Sequence, residues 1–171
     1  MDRMSSIELA IKNEQSEMEY YLGEAKRTTN PVARLLFQTL AQDEREHMTR
    51  IRGLHEKLTA DGSWPEDVPI DVAGTNIQQA LSQMTRVSDV TAAHEEDDIA
   101  ALNKGAEFEA KGAKFYAELA EACDNPQEQK FFKFLSGIER EHLLSIKDSI
   151  FYLEDPEGWL EEHERQGLDG A

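Results

Sequence analysis

The amino-acid sequence predicts an all-α protein, a four-helix bundle built from two tandem helical hairpins with a long crossover between helices 2 and 3. Three features lead there. Four long segments carry apolar residues at helical spacing. The second half of the chain repeats the first in a single register. A polar stretch of about 35 residues separates the halves, whereas two to eight residues usually join antiparallel helices of a bundle.

The first helix is expected over about 5–27, with Ile7, Ala10, Ile11, Met18, Tyr21, Leu22 and Ala25 on its apolar face. The second opens at Asn30-Pro31, where Asn can cap free backbone N–H groups and Pro suits the first helical position. Its apolar stripe is Leu36, Phe37, Leu40, Ala41, Met48, Ile51, Leu54 and Leu58, and the Gly62 to Pro65 region stops it. The crossover, about 61–96, carries Pro65, Pro69 and Gly74 and has room for a short helix at 76–81. Helix 3 is expected from near Asp97 to around Cys123. Helix 4 runs from the second cap-plus-proline pair, Asn125-Pro126, to about Glu154. This bundle domain covers 1–156. A tail, 157–171, is expected to form a short amphipathic turn anchored by Trp159.

A shift of 95 residues superimposes the halves: Glu14 falls on Glu109, Tyr21 on Tyr116, Asn30-Pro31 on Asn125-Pro126, Phe37 on Phe132, and Glu44-Arg45-Glu46-His47 on Glu139-Arg140-Glu141-His142. Twelve of the 38 positions from Glu14 to Ile51 are identical without a gap. Shared helical composition does not reproduce a cap and a four-residue block in one register. A helix of about 25 residues spans roughly 38 Å. The crossover is therefore long enough to run the length of the bundle, which makes helices 2 and 3 parallel.

Composition removes several function classes. With 171 residues, one domain is expected. Thirty-five acidic residues against 18 basic ones leave a net charge of -17, which repels nucleic acid and anionic membranes. No apolar run is long enough to span a bilayer. The first residues hold no apolar signal region, so a cytoplasmic setting is expected. The single cysteine, Cys123, allows neither an internal disulfide nor a four-thiolate metal site. A low mean hydropathy of -0.64 suits amphipathic helices that each bury one stripe.

Each hairpin carries one isolated Glu on its first helix and one Glu-x-x-His on its second. Residues three apart share a helix face, so Glu44 with His47, and Glu139 with His142, point the same way. Phe37, Leu40, Phe132 and Leu135 lie seven and four residues before Glu44 and Glu139, which turns these faces toward the core. Chance supplies roughly one Glu-x-x-His in a chain of this composition. Two in matched register, each 30 residues after a matched Glu, exceed it. Four buried carboxylates, Glu14, Glu44, Glu109 and Glu139, repel one another unless a cation joins them. Carboxylates with two imidazoles, His47 and His142, suit Fe or Mn, with Zn as a further occupant. Two divalent ions cancel the charge of four Glu, and two trivalent ions exceed it, which points to oxygen chemistry.

A Glu from each of two helices and Glu-x-x-His from each of the other two resembles the ferritin-like di-iron carboxylate proteins. Within them, the Glu followed seven residues later by Tyr and the Glu-Arg-Glu-His blocks resemble rubrerythrin over roughly 5–154. The resemblance implies two iron ions held by Glu14, Glu44, His47, Glu109, Glu139 and His142, with Glu44 and Glu139, or Glu109, as bridges. It further implies reduction of hydrogen peroxide in a homodimer, with helices exchanged between subunits as one option. Two departures stand out. Peroxidase-active rubrerythrins carry an extra Glu three residues after the helix-3 ligand, where this chain has Gly112; the pseudo-symmetric position is Glu17, which is either an extra ligand or a solvated helix residue. A rubredoxin-like module needs paired Cys-x-x-Cys, which this chain lacks, so electrons are expected from a separate donor protein.

Tyr21 and Tyr116 are expected to hydrogen-bond ligand carboxylates and orient them, rather than serve as radical sites. Cys123 is expected to be an ordinary thiol, His55, His94 and His163 to lie on solvated faces, and the acidic run 94–98 to be a charged helix start. Two other functions stay open: an iron-binding or storage protein using dioxygen, and an apo structural bundle.

Overall fold

A computed structural model describes residues 3–63, 76–77, 79–81 and 96–168. Among them, five long helices make up the fold: α1 (Arg3–Arg27), α2 (Pro31–Asp61), α3 (Glu96–Ala122), α4 (Pro126–Glu154) and α5 (Pro156–Leu168). No strand occurs among the described residues.

The repeated cap-plus-proline pairs start α2 and α4 by the same device. The Asn30 side chain accepts from the N–H groups of Val32 and Ala33 at 2.9 and 3.1 Å. Asn125 does so from Gln127 and Glu128 at 2.9 and 3.2 Å. Each satisfies two donors that a helix start leaves without partners. At the far end of α2, Gly62 takes a left-handed φ of 67° and its N–H bonds to the Leu58 carbonyl, a conformation that side chains rarely adopt.

Contacts between the hairpins set their relative direction. Thr28, just after α1, and Arg27 at its end both donate to Asp98 in the first turn of α3, at 2.9 and 2.8 Å. Farther back on α1, Tyr116 of α3 donates to Glu14. Late α1 meets early α3 and early α1 meets late α3, so the two run antiparallel. Each hairpin is antiparallel within itself, hence α2 and α3 are parallel, the ferritin-like connection that the long crossover predicts. Most of that crossover, including Trp64, Pro65, Pro69, Gly74 and His94, lies outside the described residues. Of the short helix expected at 76–81, Ile77 and 79–81 are helical, and Ile77 and Leu81 are fully buried.

Two apolar clusters fill the bundle. One gathers Tyr21, Leu36, Phe37, Leu40, Ile77, Leu81, Leu102 and Ile146. The other gathers Ile7, Ala10, Ile51, Leu54, Tyr116, Phe132, Leu135 and Ile138. The repeat shows in both: Tyr21 stacks on Phe37 at 6.5 Å and Tyr116 on Phe132 at 6.4 Å. The buried acidic side chains sit between these clusters.

The tail departs from the short turn expected of it. Proline at the first position and Asp155 before it, whose carboxylate accepts from Gly158 N–H at 3.0 Å, start a helix of 13 residues. Trp159 is the buried anchor; its indole N–H donates to Asp148 of α4 at 2.9 Å. His163 stacks on that indole at 3.7 Å and is half-buried. His55 is also half-buried, with Nε2 3.6 Å from the Glu8 carboxylate. In the acidic run, Asp98 is fully buried by its bonds to α1, so that helix start is more than a charged surface.

Candidate metal centre

The six predicted ligands converge. Glu14, Glu44, His47, Glu109, Glu139 and His142 are each 1% exposed or less. Three overlapping groups, Glu44–His47–His142, Glu14–Glu44–Glu139 and Glu17–Glu44–Glu109, bring donor atoms within 4.8 Å of one another. Glu44 belongs to all three. Both imidazoles turn Nδ1 to the carboxylates: His47 Nδ1 lies 3.2 Å from Glu44 and 3.4 Å from Glu14. His142 Nδ1 lies 2.9 Å from the other Glu44 oxygen and 3.3 Å from Glu109. The two rings are nearly parallel, 5.2 Å apart.

Both tyrosines reach carboxylates of the cluster. Tyr21 donates its hydroxyl proton to Glu109 Oε1, and Tyr116 donates to Glu14 Oε1 at 2.6 Å. Each bond crosses from one hairpin to the other and leaves the second carboxylate oxygen facing a histidine. Burial first, and then the nearby carboxylates, push both phenols well above their ordinary range, so the hydroxyls stay protonated.

Glu17, partly buried, turns a carboxylate oxygen toward Glu44 and Glu109. It also lines a surface cleft of about 260 Å³ with Asn13, Ser16, Tyr20 and Phe108. Its Oε2 is buried without a hydrogen-bond partner. Gly112, its counterpart on α3, has a different use: a Cβ built there would lie 2.7 Å from Glu139 Oε2. Glu139 therefore rests against bare helix backbone. Four residues before Glu109, Gly105 leaves similar room for the Tyr21 hydroxyl, which a Cβ would meet at 3.0 Å. Two glycines at -4 and +3 around a helical Glu are a signal that the sequence offered, since glycine inside a helix usually has a packing reason.

Burial and mutual repulsion act on the acids of the cluster. Burial, followed by the neighbouring carboxylates, pushes Glu17 and Glu139 well above the usual carboxylate range, and Glu44 is also raised. Burial alone would lower His47, but Glu14 and Glu44 override it and push it up to about 10. His142 is likewise raised by Glu44 and Glu109 against its burial. Glu14 Oε2, Glu17 Oε2 and both Glu139 oxygens have no hydrogen-bond partner although buried. Orphaned oxygens beside two imidazoles are a donor set that fits transition-metal ions.

The rubrerythrin family model matches residues 6–150. The chain belongs to the rubrerythrin family. Rubrerythrins are di-iron proteins with oxidoreductase-type activity, and the matched span contains every side chain of the cluster. No curated protein and no solved structure matches the chain. No helix among the described residues is long and apolar enough to cross a membrane.

Two participants escape sequence reasoning. Asp43 is 1% exposed, and its Oδ2 lies 3.6 Å from His142 Nε2. Asn76, from the crossover, donates to both Asp43 oxygens. Asp43 has no counterpart in the repeat, where Ile138 stands, so the pattern that exposes the ligands passes over it. Cys123, half-buried at the end of the first helix of its hairpin, has its thiol pushed up to about 12 by burial and then by Glu128, in keeping with an unreactive thiol.

Proposed function

We propose that the chain is a rubrerythrin-type di-iron oxidoreductase that reduces hydrogen peroxide to water with electrons from a separate donor protein. The observation that carries this reading is the burial of orphaned carboxylate oxygens between two imidazoles, drawn from both hairpins. Glu14, His47, Glu44 and Glu139 would hold one iron ion. Glu109, His142, Glu44 and Glu17 would hold the other. When bound, the pair supplies the two electrons that hydrogen peroxide takes up with two protons to give two water molecules.

The chain's own residues prepare the site for that reaction. Tyr116 and Tyr21 each bind one oxygen of Glu14 and Glu109, which fixes the carboxylate planes and reserves the second oxygen for a cation. The apolar clusters on either side exclude bulk water. The cleft beside Glu17 offers a small oxidant a way to the carboxylates from outside. Glu17 also supplies a carboxylate beyond the basic six, which by family resemblance goes with peroxide chemistry. A homodimer, with or without exchanged hairpins, accompanies this reading.

A second reading, iron binding or storage with dioxygen as oxidant, has Gly112 in its favour, because the extra Glu of peroxidase-active rubrerythrins is missing from α3. Anaerobic stopped-flow mixing of the diferrous protein with hydrogen peroxide, and separately with dioxygen, tests the two. Faster oxidation by peroxide is expected. Equal or faster oxidation by dioxygen, together with a large hollow assembly on sizing, would overturn the peroxidase reading.

A further inference from the structure

The outer edge of His142 faces a carboxylate that belongs to neither predicted iron position. Asp43 precedes Glu44 on α2, and its Oδ2 approaches His142 Nε2 on α4 at 3.6 Å, while His142 Nδ1 faces Glu44 and Glu109. That separation is an ion-pair distance just beyond hydrogen-bond length, and His142 Nε2 has no hydrogen-bond partner that competes for it. Asp43 is itself held. The Asn76 backbone N–H donates to Oδ2 at 3.1 Å, and the Asn76 amide donates to Oδ1 at 2.6 Å. Asn76 is held in turn, because its carbonyl accepts from Ala80 N–H at 3.0 Å, and Ile77 and Leu81 beside it are fully buried. A chain of contacts therefore runs from the packed crossover through Asn76 and Asp43 to the back of one imidazole.

The other imidazole lacks such support. His47 Nε2 is buried without a hydrogen-bond partner, its carboxylate contacts are all at Nδ1, and the position equivalent to Asp43 is Ile138, packed among apolar side chains. The backbone of a hairpin thus forms with Ile at this position, so helix geometry does not require the Asp. A neutral imidazole carries one proton, and the group facing one nitrogen decides which nitrogen is left to bind a cation.

We propose that Asp43 is a positioning residue that keeps the His142 proton on Nε2 and its Nδ1 lone pair turned inward, and that Asn76 holds Asp43 in place. The proposal rests on the reading of the cluster as a metal centre. It makes the two iron positions unequal, with the His142 position tied to the crossover and the His47 position independent of it.

Titration of the metal-free protein with Co²⁺, followed by its visible absorbance, tests this without reference to turnover. The wild-type chain is expected to bind two equivalents. Asp43→Asn should weaken one of them about 10- to 100-fold, the usual cost of losing such a partner, and leave the other unchanged. Asn76→Ala should weaken the same equivalent by less; it keeps the charge at Asp43, and decides the matter if Asp43→Asn fails to fold. His142→Ala should remove that equivalent, and adding Asp43→Asn to it should change nothing more, because the two residues act through one contact. Equal weakening of both equivalents, or undiminished binding of both, in Asp43→Asn and Asn76→Ala overturns the proposal alone. A wild-type chain that takes up no cobalt overturns the metal-centre reading and the proposal with it.

Discussion

The two hairpins share a backbone plan and differ in where they put charge. Both start their second helix with an Asn cap and Pro, both stack Tyr on Phe, and both send Glu and Glu-x-x-His inward. The first adds Glu17 and Asp43 where the second has Gly112 and Ile138. Glu17 shares a donor group with Glu44 and Glu109, and Asp43 approaches His142, whose Nδ1 faces the same two carboxylates. A duplicated scaffold thus encloses an asymmetric site. Pseudo-symmetry specifies the helix positions, and a few unrepeated residues decide how the two halves of the site differ.

Glu44 and Glu139 offer the strongest way to break the comparison. They are repeat partners, yet Glu44 belongs to all three donor groups and Glu139 to one. Glu44→Gln should weaken both bound cations by about 100-fold or more, whereas Glu139→Gln should affect mainly the one at Glu14. Calorimetric titration with Fe²⁺ under anaerobic conditions measures both. Equal losses in the two variants would mean that the pseudo-symmetry extends to the metal ligands.

The metal-free state should lose stability as pH rises from about 6.5 to about 10. In that window the native state binds more protons than the unfolded chain, since His47 is raised to about 10 and His142 is raised as well. The contribution is present in full below about pH 6.5 and gone above the folded value. Urea midpoints across this range measure the slope, and a flat profile would contradict it. Comparing His47→Ala with His142→Ala divides the slope between the hairpins.

Gly112 gives the smallest effect and the finest comparison. Gly112→Ala should destabilise the protein by about 1–3 kcal/mol in denaturant melts, because its Cβ would press on the Glu139 carboxylate. Ala at Gly23 or Gly53, where a Cβ would meet nothing within 4 Å, should be neutral or stabilising, since Ala favours the helix. Equal effects at all three glycines would mean that crowding by Glu139 is not what keeps a larger side chain out of position 112.

Local rules make the helices, both Asn caps, and the six side chains of the cluster legible in the sequence. Helical periodicity shows which face is apolar, spacing of three puts Glu and His on one face, and the 95-residue repeat separates those positions from chance. Spacing does not say which carboxylate each Tyr reaches; the hydrogen bonds, Tyr21 to Glu109 and Tyr116 to Glu14, cross between helices over sequence separations of 88 and 102 residues. The helical tail is not legible in this way, because one Trp and a charged run carry little periodicity. Its docking on α4 depends on Asp148, eleven residues before Trp159.

The sequence alone therefore determined the bundle, its parallel crossover and the six residues of a candidate metal centre, because these follow from periodicity and repetition along the chain. Tertiary structure decided that Glu17 turns inward, that Gly112 makes room for Glu139, and that Asp43 and Asn76 stand behind His142. Each of these depends on how far one helix rotates against another and where the crossover lies. Such distances arise between residues remote in sequence, and no spacing along the chain encodes them.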